Sequence, residues 1–224
     1  MSGHWPRRPR SRREGGQSLV EFTLIVPLFL MILFGMIEFG FVFTHDLTVE
    51  YATREGARAG SALDNGGGTL GCGSGESPNW TNVDPLVIAA VERVLQSPGS
   101  QVVISNVSQI VIYKANPTTG ANDQGLQDVW TYSPGAGPIP QGSTNHLNFV
   151  DSKYDPVPAN NTDAWKACSR SNVAPSIDSL GVSLTYTYAF QTPLASVWRF
   201  FGGSGSTTLT LTDKTVIQLN PSAT

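Results

Sequence analysis

The sequence predicts an α+β protein in which a long N-terminal transmembrane helix continues into a head with a small antiparallel sheet and a long irregular insertion. Three observations support this fold class. An apolar run extends from Leu19 to Phe43, no proline interrupts residues 28–62, and two later segments alternate strictly between apolar and polar side chains. At 224 residues the chain has room for one anchor and one head of ordinary domain size.

The first 16 residues are predicted to form a basic cytoplasmic leader. Five arginines and one glutamate give this leader a net charge of +4, so the overall charge of −3 leaves −7 for residues 17–224. Positive charge directly before an apolar run resists translocation, which predicts a cytoplasmic N-terminus and an extracytoplasmic C-terminal domain. The alternative reading is a nucleic-acid-binding arm, but the acidic remainder argues against nucleic acid as a partner.

The apolar run is long enough to span a lipid bilayer. Within residues 22–41, thirteen side chains are Leu, Ile, Val or Phe. Each of them favours insertion by about 0.3–0.6 kcal/mol, so together they contribute roughly 4–8 kcal/mol. A removable secretion signal has a shorter apolar core followed by a small-residue cleavage site. The run therefore predicts a membrane helix that remains in the mature protein.

Helical periodicity continues beyond the predicted span. Small or apolar residues recur at helical spacing on one face: Val49, Ala52, Gly56, Ala59 and Leu63. This narrow face predicts that residues 17–62 form the transmembrane helix and an extracytoplasmic extension, which packs against the sheet of the head. The glycine-rich stretch 64–68 ends the helix, so the head is expected to comprise residues 63–224.

The head is predicted to contain a second helix and several strands. Pro85–Gln96 begins with a proline, which suits the first position of a helix. Two β-rich stretches, Val102–Ile104 and Gln109–Tyr113, predict one long strand or a hairpin. Strict alternation predicts half-buried antiparallel strands over residues 182–190 and 208–217.

Residues 115–176 are predicted to be an irregular insertion, because they are rich in Pro, Gly, Asn and Ser and have no sustained periodicity. The insertion contains four aromatic residues of interest: Trp130, Tyr132, Phe149 and Trp165. They either mark a binding surface or fix the insertion onto the domain.

The two cysteines, Cys72 and Cys168, both fall in the part predicted to be extracytoplasmic, where disulfides persist. A disulfide between them is expected, with two free thiols as the alternative. In the chain-entropy model, closing a loop of this length contributes up to about 4.7 kcal/mol of stability.

No metal site, cofactor or catalytic site is predicted. The three histidines are scattered, which does not suit zinc. Asp151, Asp155 and Asp163 carry oxygen ligands that calcium accepts, but their spacing differs from that of an EF-hand. The chain also contains no Gly-x-Ser-x-Gly elbow or phosphate-binding loop in a strand-to-helix context. An enzyme is therefore not expected.

A short motif precedes the apolar run. The basic leader ends at Gly16, Gln17 follows, and Glu21 stands five residues after the glycine. This pattern resembles a prepilin peptidase site, and the resemblance implies cleavage between Gly16 and Gln17. A carboxylate near the membrane boundary is costly unless it is paired, so Glu21 would attract the free N-terminal amine of a neighbouring subunit. The alternative is an interfacial glutamate that faces the lipid headgroups.

Four segments in a fixed order extend this pattern: Gln17–Phe22, Pro27, Gly35–Gly40 and Ala52–Arg58. Over about residues 15–62 they resemble the TadE-like family of minor pilins and pseudopilins from bacterial tight-adherence (Tad/Flp) pilus systems. The resemblance implies a pilin-like head and a role in pilus assembly.

The same resemblance assigns roles to particular residues. It implies that Glu21, Pro27 and Glu38 act in assembly. It also places Arg54, Glu55, Gly56 and Arg58 in the membrane-proximal motif of the family.

The implied partners are the lipid bilayer, other pilins or pseudopilins that contact the N-terminal helix, the pilus assembly platform and a prepilin peptidase. The implied location is the cell membrane, crossed once, or a surface pilus. The alternative function is an uncleaved, membrane-anchored adhesin or envelope-binding module, which accounts for every feature except the processing motif.

Overall fold

The computed structural model describes residues 14–67, 71–72, 78–193, 196 and 206–221, so most of the basic leader lies outside the described residues. Helix α1 extends from Glu14 to Leu63. The described chain divides into two compact units. The anchor unit comprises the chain up to Phe41 together with Phe190–Thr207, and the head unit comprises Val42–Ala189 and Thr208–Thr224.

Helix α1 confirms the expected long N-terminal helix. Pro27 lies inside it without ending it, and the helix stops just before Asp64, which has a positive φ of 49°. The N–H of Asp64 donates to the carbonyl of Gly60 at 3.0 Å, and the N–H of Gly66 donates to that of Leu63 at 2.8 Å. The glycine-rich stop predicted from the sequence therefore satisfies carbonyls of the last turn.

Helix α2 extends from Val83 to Leu95 and confirms the second predicted helix. It begins two residues earlier than predicted, because a 3₁₀ turn, Pro78–Asn82, leads directly into it. Pro85 consequently lies in the first helical turn, where its missing N–H removes no intrahelical hydrogen bond. Val87, Val91 and Leu95 form part of its buried face.

The head contains one five-stranded sheet in the order β3-β2-β1-β4-β5, with every neighbouring pair antiparallel. The strands are β1 (Val107–Ala115), β2 (Asn122–Tyr132), β3 (Phe149–Val150), β4 (Ser179–Ala189) and β5 (Thr208–Gln218). In β4 the side chains of Val182, Leu184, Tyr186 and Tyr188 are buried and alternate with partly exposed ones. The two strands predicted from strict alternation are thus confirmed.

The prediction of a long strand or hairpin over residues 101–114 is wrong at its start. Ile104–Asn106 form a 3₁₀ turn, and only the second β-rich stretch belongs to a strand, β1. The N–H of Asn106 donates to the carbonyl of Val103 at 2.9 Å, so the turn uses backbone groups that a ladder would need. Apolar β-formers precede this turn without joining the sheet.

The prediction that residues 115–176 are irregular throughout is also wrong, because β2 and β3 lie inside this range. A tight connection joins β1 to β2: the side chain of Asn116 accepts the N–H groups of Thr118 and Thr119, and Gly120 adopts a φ of 66°. The first half of β2 is polar and contains Gly125, so it carries no alternating pattern. Pairing with β1, rather than local propensity, makes it a strand.

The aromatic residues of this segment fix it onto the head. Trp130, Phe149 and Trp165 are all buried, and Tyr132 contacts Phe149 edge-on with ring centroids 5.8 Å apart. Of the two readings offered by the sequence, packing onto the domain is therefore the one that the structure supports.

The extension of α1 covers the sheet, as its small-residue face predicts. A Cβ atom placed on Gly56 would lie 2.6 Å from Val91 Cγ2, and one placed on Gly60 would lie 2.9 Å from Leu180 Cδ1. Ser61 at the end of the helix donates its hydroxyl to the carbonyl of Gln218 in β5 at 2.8 Å. The helix therefore approaches both α2 and the sheet at distances that only glycine allows.

Gly56→Leu is expected to destabilise the head by about 1–3 kcal/mol, because the added side chain overpacks a site where a Cβ alone would clash with Val91. The matched control is Gly35→Leu, at a position of the same helix where no atom of the described residues lies within 4 Å of an added Cβ. Denaturant unfolding of the full chain in detergent, followed by tryptophan fluorescence, measures both. Equal unfolding midpoints for the two variants would contradict the prediction.

Candidate functional site

Helix α1 presents an apolar surface within the anchor unit. Gly16–Leu63 is long and apolar enough to cross a membrane, and none of its most apolar window is buried. The exposed large side chains include Leu19, Phe22, Leu24, Ile25, Leu28, Phe29, Ile32, Met36 and Phe39. A continuous surface of this kind requires lipid or another apolar helix as its surroundings. The helix is consistent with single-pass membrane anchoring.

The predicted processing motif lies in the first turns of this helix. Gly16 and Gln17 are helical and exposed, and Glu21 is also exposed. The side-chain amide of Gln17 donates to Glu21 Oε1 at 3.0 Å. The motif is therefore accessible on the described chain, while cleavage after Gly16 stays a prediction.

Pro27 and the two glycines of the span shape the same surface. Among the residues that the structure describes, nothing lies within 4 Å of a Cβ placed on Gly35 or Gly40. Pro27 lacks an N–H, so the carbonyl one turn earlier loses its intrahelical donor. In a membrane such features are compatible with close approach by a partner helix.

Glu38 lies in the apolar part of α1, yet it is only 3% exposed. Its two carboxylate oxygens accept the backbone N–H groups of Gln191, at 3.0 Å, and Thr192, at 2.7 Å. These hydrogen bonds lie entirely within the anchor unit. The family resemblance implies that Glu38 acts in assembly. In the structure its carboxylate accepts hydrogen bonds from backbone N–H groups of the same chain, which the sequence did not predict.

The membrane-proximal motif connects α1 to α2. Arg54 pairs with Glu50 one turn earlier, and Glu55 Oε1 accepts a hydrogen bond from Arg93 Nη2 at 2.8 Å. Both pairs are substantially exposed, so each contributes at most about 1 kcal/mol. Arg58 is exposed, whereas Gly56 is buried against α2. Within this motif the close helix approach at Gly56 therefore matters more to the fold than the charges.

A buried threonine adds a polar link between α1 and β5 that the sequence did not indicate. The hydroxyl of Thr53 donates to Asp213 Oδ2 and lies 3.1 Å from Thr215 Oγ1. Thr53 precedes the charged motif directly, and its side chain is fully buried. The polar side of the helix extension is thus anchored to the edge strand of the sheet.

Cys72 and Cys168 form a disulfide, as predicted, with their Cα atoms 5.3 Å apart. The N–H of Gly71 also donates to the carbonyl of Cys168 at 3.0 Å. Cys168 packs in a small buried cluster with Trp80, Val83 and Ala167. The bond therefore ties the stretch after α1 to the irregular segment before β4, next to the start of α2.

A buried ion pair lies beside the disulfide. Arg170 is fully buried, and its Nη2 atom donates to Asp84 Oδ1 at 2.7 Å, to Asp84 Oδ2 at 2.9 Å and to the carbonyl of Trp165 at 3.1 Å. Its guanidinium carbon also lies 4.5 Å from the centroid of the Trp165 ring. Burial raises the pKa of the Asp84 carboxyl against the opposing charge of Arg170.

Three further aspartates converge near this pair. Each of Asp128, Asp151 and Asp163 offers a carboxylate oxygen, and these atoms all lie within 4.8 Å of one another. Burial, and then the charges of Asp84 and Asp163, raise the pKa of Asp128 to about 7. Burial, and then the charge of Asp84, raise the pKa of Asp163 to about 6. The structure thus groups Asp128 with Asp151 and Asp163, whereas the sequence had suggested Asp155.

Comparison with curated proteins and with solved structures finds no match for this chain. Comparison with protein families finds one, described as TadE-like protein, over residues 16–58. The matched segment contains Gly16, Glu21, Pro27 and Glu38 together with Gly56 and its charged neighbours. Residues 16–58 are therefore similar to the TadE-like family, as the sequence resemblance predicts.

Proposed function

We propose that the chain is a minor pilin or pseudopilin that acts in the assembly, or at the surface, of a tight-adherence pilus. The observation that carries this proposal is the coincidence of the TadE-like match with the apolar surface of α1. The matched segment covers the part of α1 whose side chains need lipid or other helices around them. The TadE-like segment associates the chain with Tad pilus systems in general, and the specific role is our proposal.

The charge distribution supports the proposed topology. A leader of net charge +4 before the apolar helix favours a cytoplasmic N-terminus and an extracytoplasmic head. A disulfide inside the head fits the same arrangement, because disulfides persist outside the cytoplasm. A reporter fused after Thr224 that is active only outside the cytoplasm is the expected result, and a cytosolic reporter would contradict the topology.

Glu21 is the residue through which we propose that neighbouring subunits interact. It is exposed among apolar side chains near the start of α1, where an unpaired carboxylate is costly in lipid. After cleavage at Gly16, the new amine of a neighbouring subunit would neutralise this charge. Before cleavage, Gln17 supplies only a neutral amide donor.

Mass spectrometry of the protein purified from membranes tests the processing step. A mature N-terminus at Gln17 is the expected result. An intact N-terminus would instead favour the uncleaved, anchored surface protein, whose helix never leaves the bilayer.

Filament counts on the cell surface test the assembly role separately. Deleting the chain, or replacing Glu21 with glutamine, is expected to reduce the number of filaments severalfold. The matched control is Glu50→Gln, which alters a carboxylate on the same helix within the head unit. Unchanged filament number and length in both the deletion and the Glu21 variant would overturn the proposal.

A further inference from the structure

Three aspartates from separate parts of the head meet at one point. Asp128 lies on β2, Asp151 follows β3 directly, and Asp163 lies in the irregular segment before the 3₁₀ turn Ala167–Ser169. One carboxylate oxygen from each lies within 4.8 Å of the other two. Negative charges so close together in a poorly hydrated site repel one another strongly.

Hydrogen bonds compensate only part of this charge. Asp128 is 1% exposed and Asp163 is 7% exposed. Asp128 Oδ1 accepts the N–H groups of Ala164 and Trp165, at 2.7 Å and 3.3 Å, and Asp163 Oδ2 accepts the side-chain amide of Asn161 at 2.8 Å. Their other oxygens, Asp128 Oδ2 and Asp163 Oδ1, are buried and have no hydrogen-bond partner among the described residues.

Such unpaired atoms are uncommon in native proteins, and a bound ion is one of the few causes that accounts for them. Their burial is an observation separate from the convergence of the three carboxylates. It indicates that the site is built to hold something other than a hydrogen-bond donor of this chain.

The neighbouring cation, Arg170, makes no hydrogen bond to the orphaned carboxylate oxygens. Among the described residues, Arg170 makes its side-chain hydrogen bonds through Nη2, which donates to Asp84 and to the carbonyl of Trp165. Its Nε and Nη1 atoms are buried and make no hydrogen bond within the described part of the chain, so they do not reach the orphaned carboxylate oxygens. A single guanidinium thus faces Asp84 as well as the three convergent aspartates.

We propose that Asp128, Asp151 and Asp163 bind one calcium ion. A group of three carboxylates, with no cysteine or histidine beside them among the described residues, suits a hard cation. Two oxygens that bind one calcium ion at about 2.4 Å each lie at most about 4.8 Å apart, so three oxygens within 4.8 Å of one another are close enough to contact the same ion. Backbone carbonyls and water would complete the six to eight ligands that calcium takes.

A bound ion would stabilise the segment between β1 and β4. The ion would join β2, the end of β3 and the irregular segment that leads to Cys168. Extracellular modules bind calcium with dissociation constants of about 10⁻⁴–10⁻³ M, which is the range expected for a head outside the membrane. The proposal concerns the head alone and does not depend on the pilus role.

Thermal unfolding of the full chain in detergent, first stripped with EDTA, tests the site. Calcium chloride at about ten times the dissociation constant is expected to raise the Tm by about 3–6 °C. Magnesium at the same concentration and sodium chloride at the same ionic strength are expected to give much smaller shifts. No calcium-specific rise would overturn the proposal.

Two variants distinguish binding from a structural role of the carboxylates. Asp128→Asn keeps the oxygen that accepts the N–H groups of Ala164 and Trp165 but removes a buried charge. We expect it to unfold no earlier than the unmodified chain in EDTA and to lose the calcium-dependent rise. The matched control is Asp155→Asn, which removes an acid of the same segment outside the cluster and should keep the full rise.

Terbium luminescence gives a readout that does not depend on stability. Trp165 donates its backbone N–H to Asp128 Oδ1 at 3.3 Å, so a tryptophan residue adjoins the cluster and is expected to sensitise terbium bound there. We expect calcium to displace this signal and Asp128→Asn to abolish it. A signal or a calcium-dependent Tm rise that persists in Asp128→Asn would assign calcium to another site and overturn the proposal.

Discussion

Arg170→Met is expected to destabilise the head by about 3–5 kcal/mol, because it leaves the Asp84 carboxylate buried without its cation. Arg170 is fully buried and Asp84 nearly so, so neither group can turn to water. Methionine fills a similar length with apolar atoms, which limits the contribution of a cavity. The loss therefore reports mainly the uncompensated charge. Denaturant unfolding of the full chain in detergent measures it.

Two comparisons separate this charge effect from lost packing. Adding Asp84→Asn to Arg170→Met removes the orphaned charge and is expected to recover a large part of the loss. Arg54→Met breaks an exposed pair with Glu50 and should cost less than about 1 kcal/mol. An Arg170→Met variant no less stable than Arg54→Met would show that the buried pair contributes little.

The parts of the fold that the sequence predicts are those with a strong local pattern. Helix α1 follows from an apolar run and an uninterrupted small-residue face, and β4 and β5 follow from strict alternation. Strand β2 has no such pattern, because its first half is polar and its place is set by pairing with β1. Non-local pairing of this kind leaves no local trace in the sequence.

The polar interior of the head was harder to predict for a related reason. Asp84 and Arg170 stand 86 positions apart, and Asp128 lies in a strand with no alternating pattern. The one available signal was Cys168, two residues before Arg170, since its disulfide brings this stretch towards the start of α2. Glu38 and Gly56, by contrast, were both identified through the family motifs, although the contacts of Glu38 within the chain were not.

Loss of the disulfide is expected to destabilise the head about as much as Arg170→Met does. The double variant Cys72→Ser with Cys168→Ser should lower the stability of the head by about 2–5 kcal/mol, because a loop with a sequence separation of 96 is no longer closed in the unfolded chain. Cys168 is also buried beside Trp80 and Val83, so a serine hydroxyl there adds a desolvation cost. Unfolding in the absence of reductant measures the difference.

Reducing the unmodified protein provides the control, since it opens the bond without placing a hydroxyl in the cluster. If loop closure dominates, the reduced protein and the serine variant should lose similar stability. The bond also holds the 3₁₀ turn Ala167–Ser169 directly before Arg170. We therefore expect Arg170→Met to cost less in the serine variant than in the intact protein, by about 0.5–3 kcal/mol of coupling. Strict additivity would mean that the disulfide and the buried ion pair stabilise the head independently.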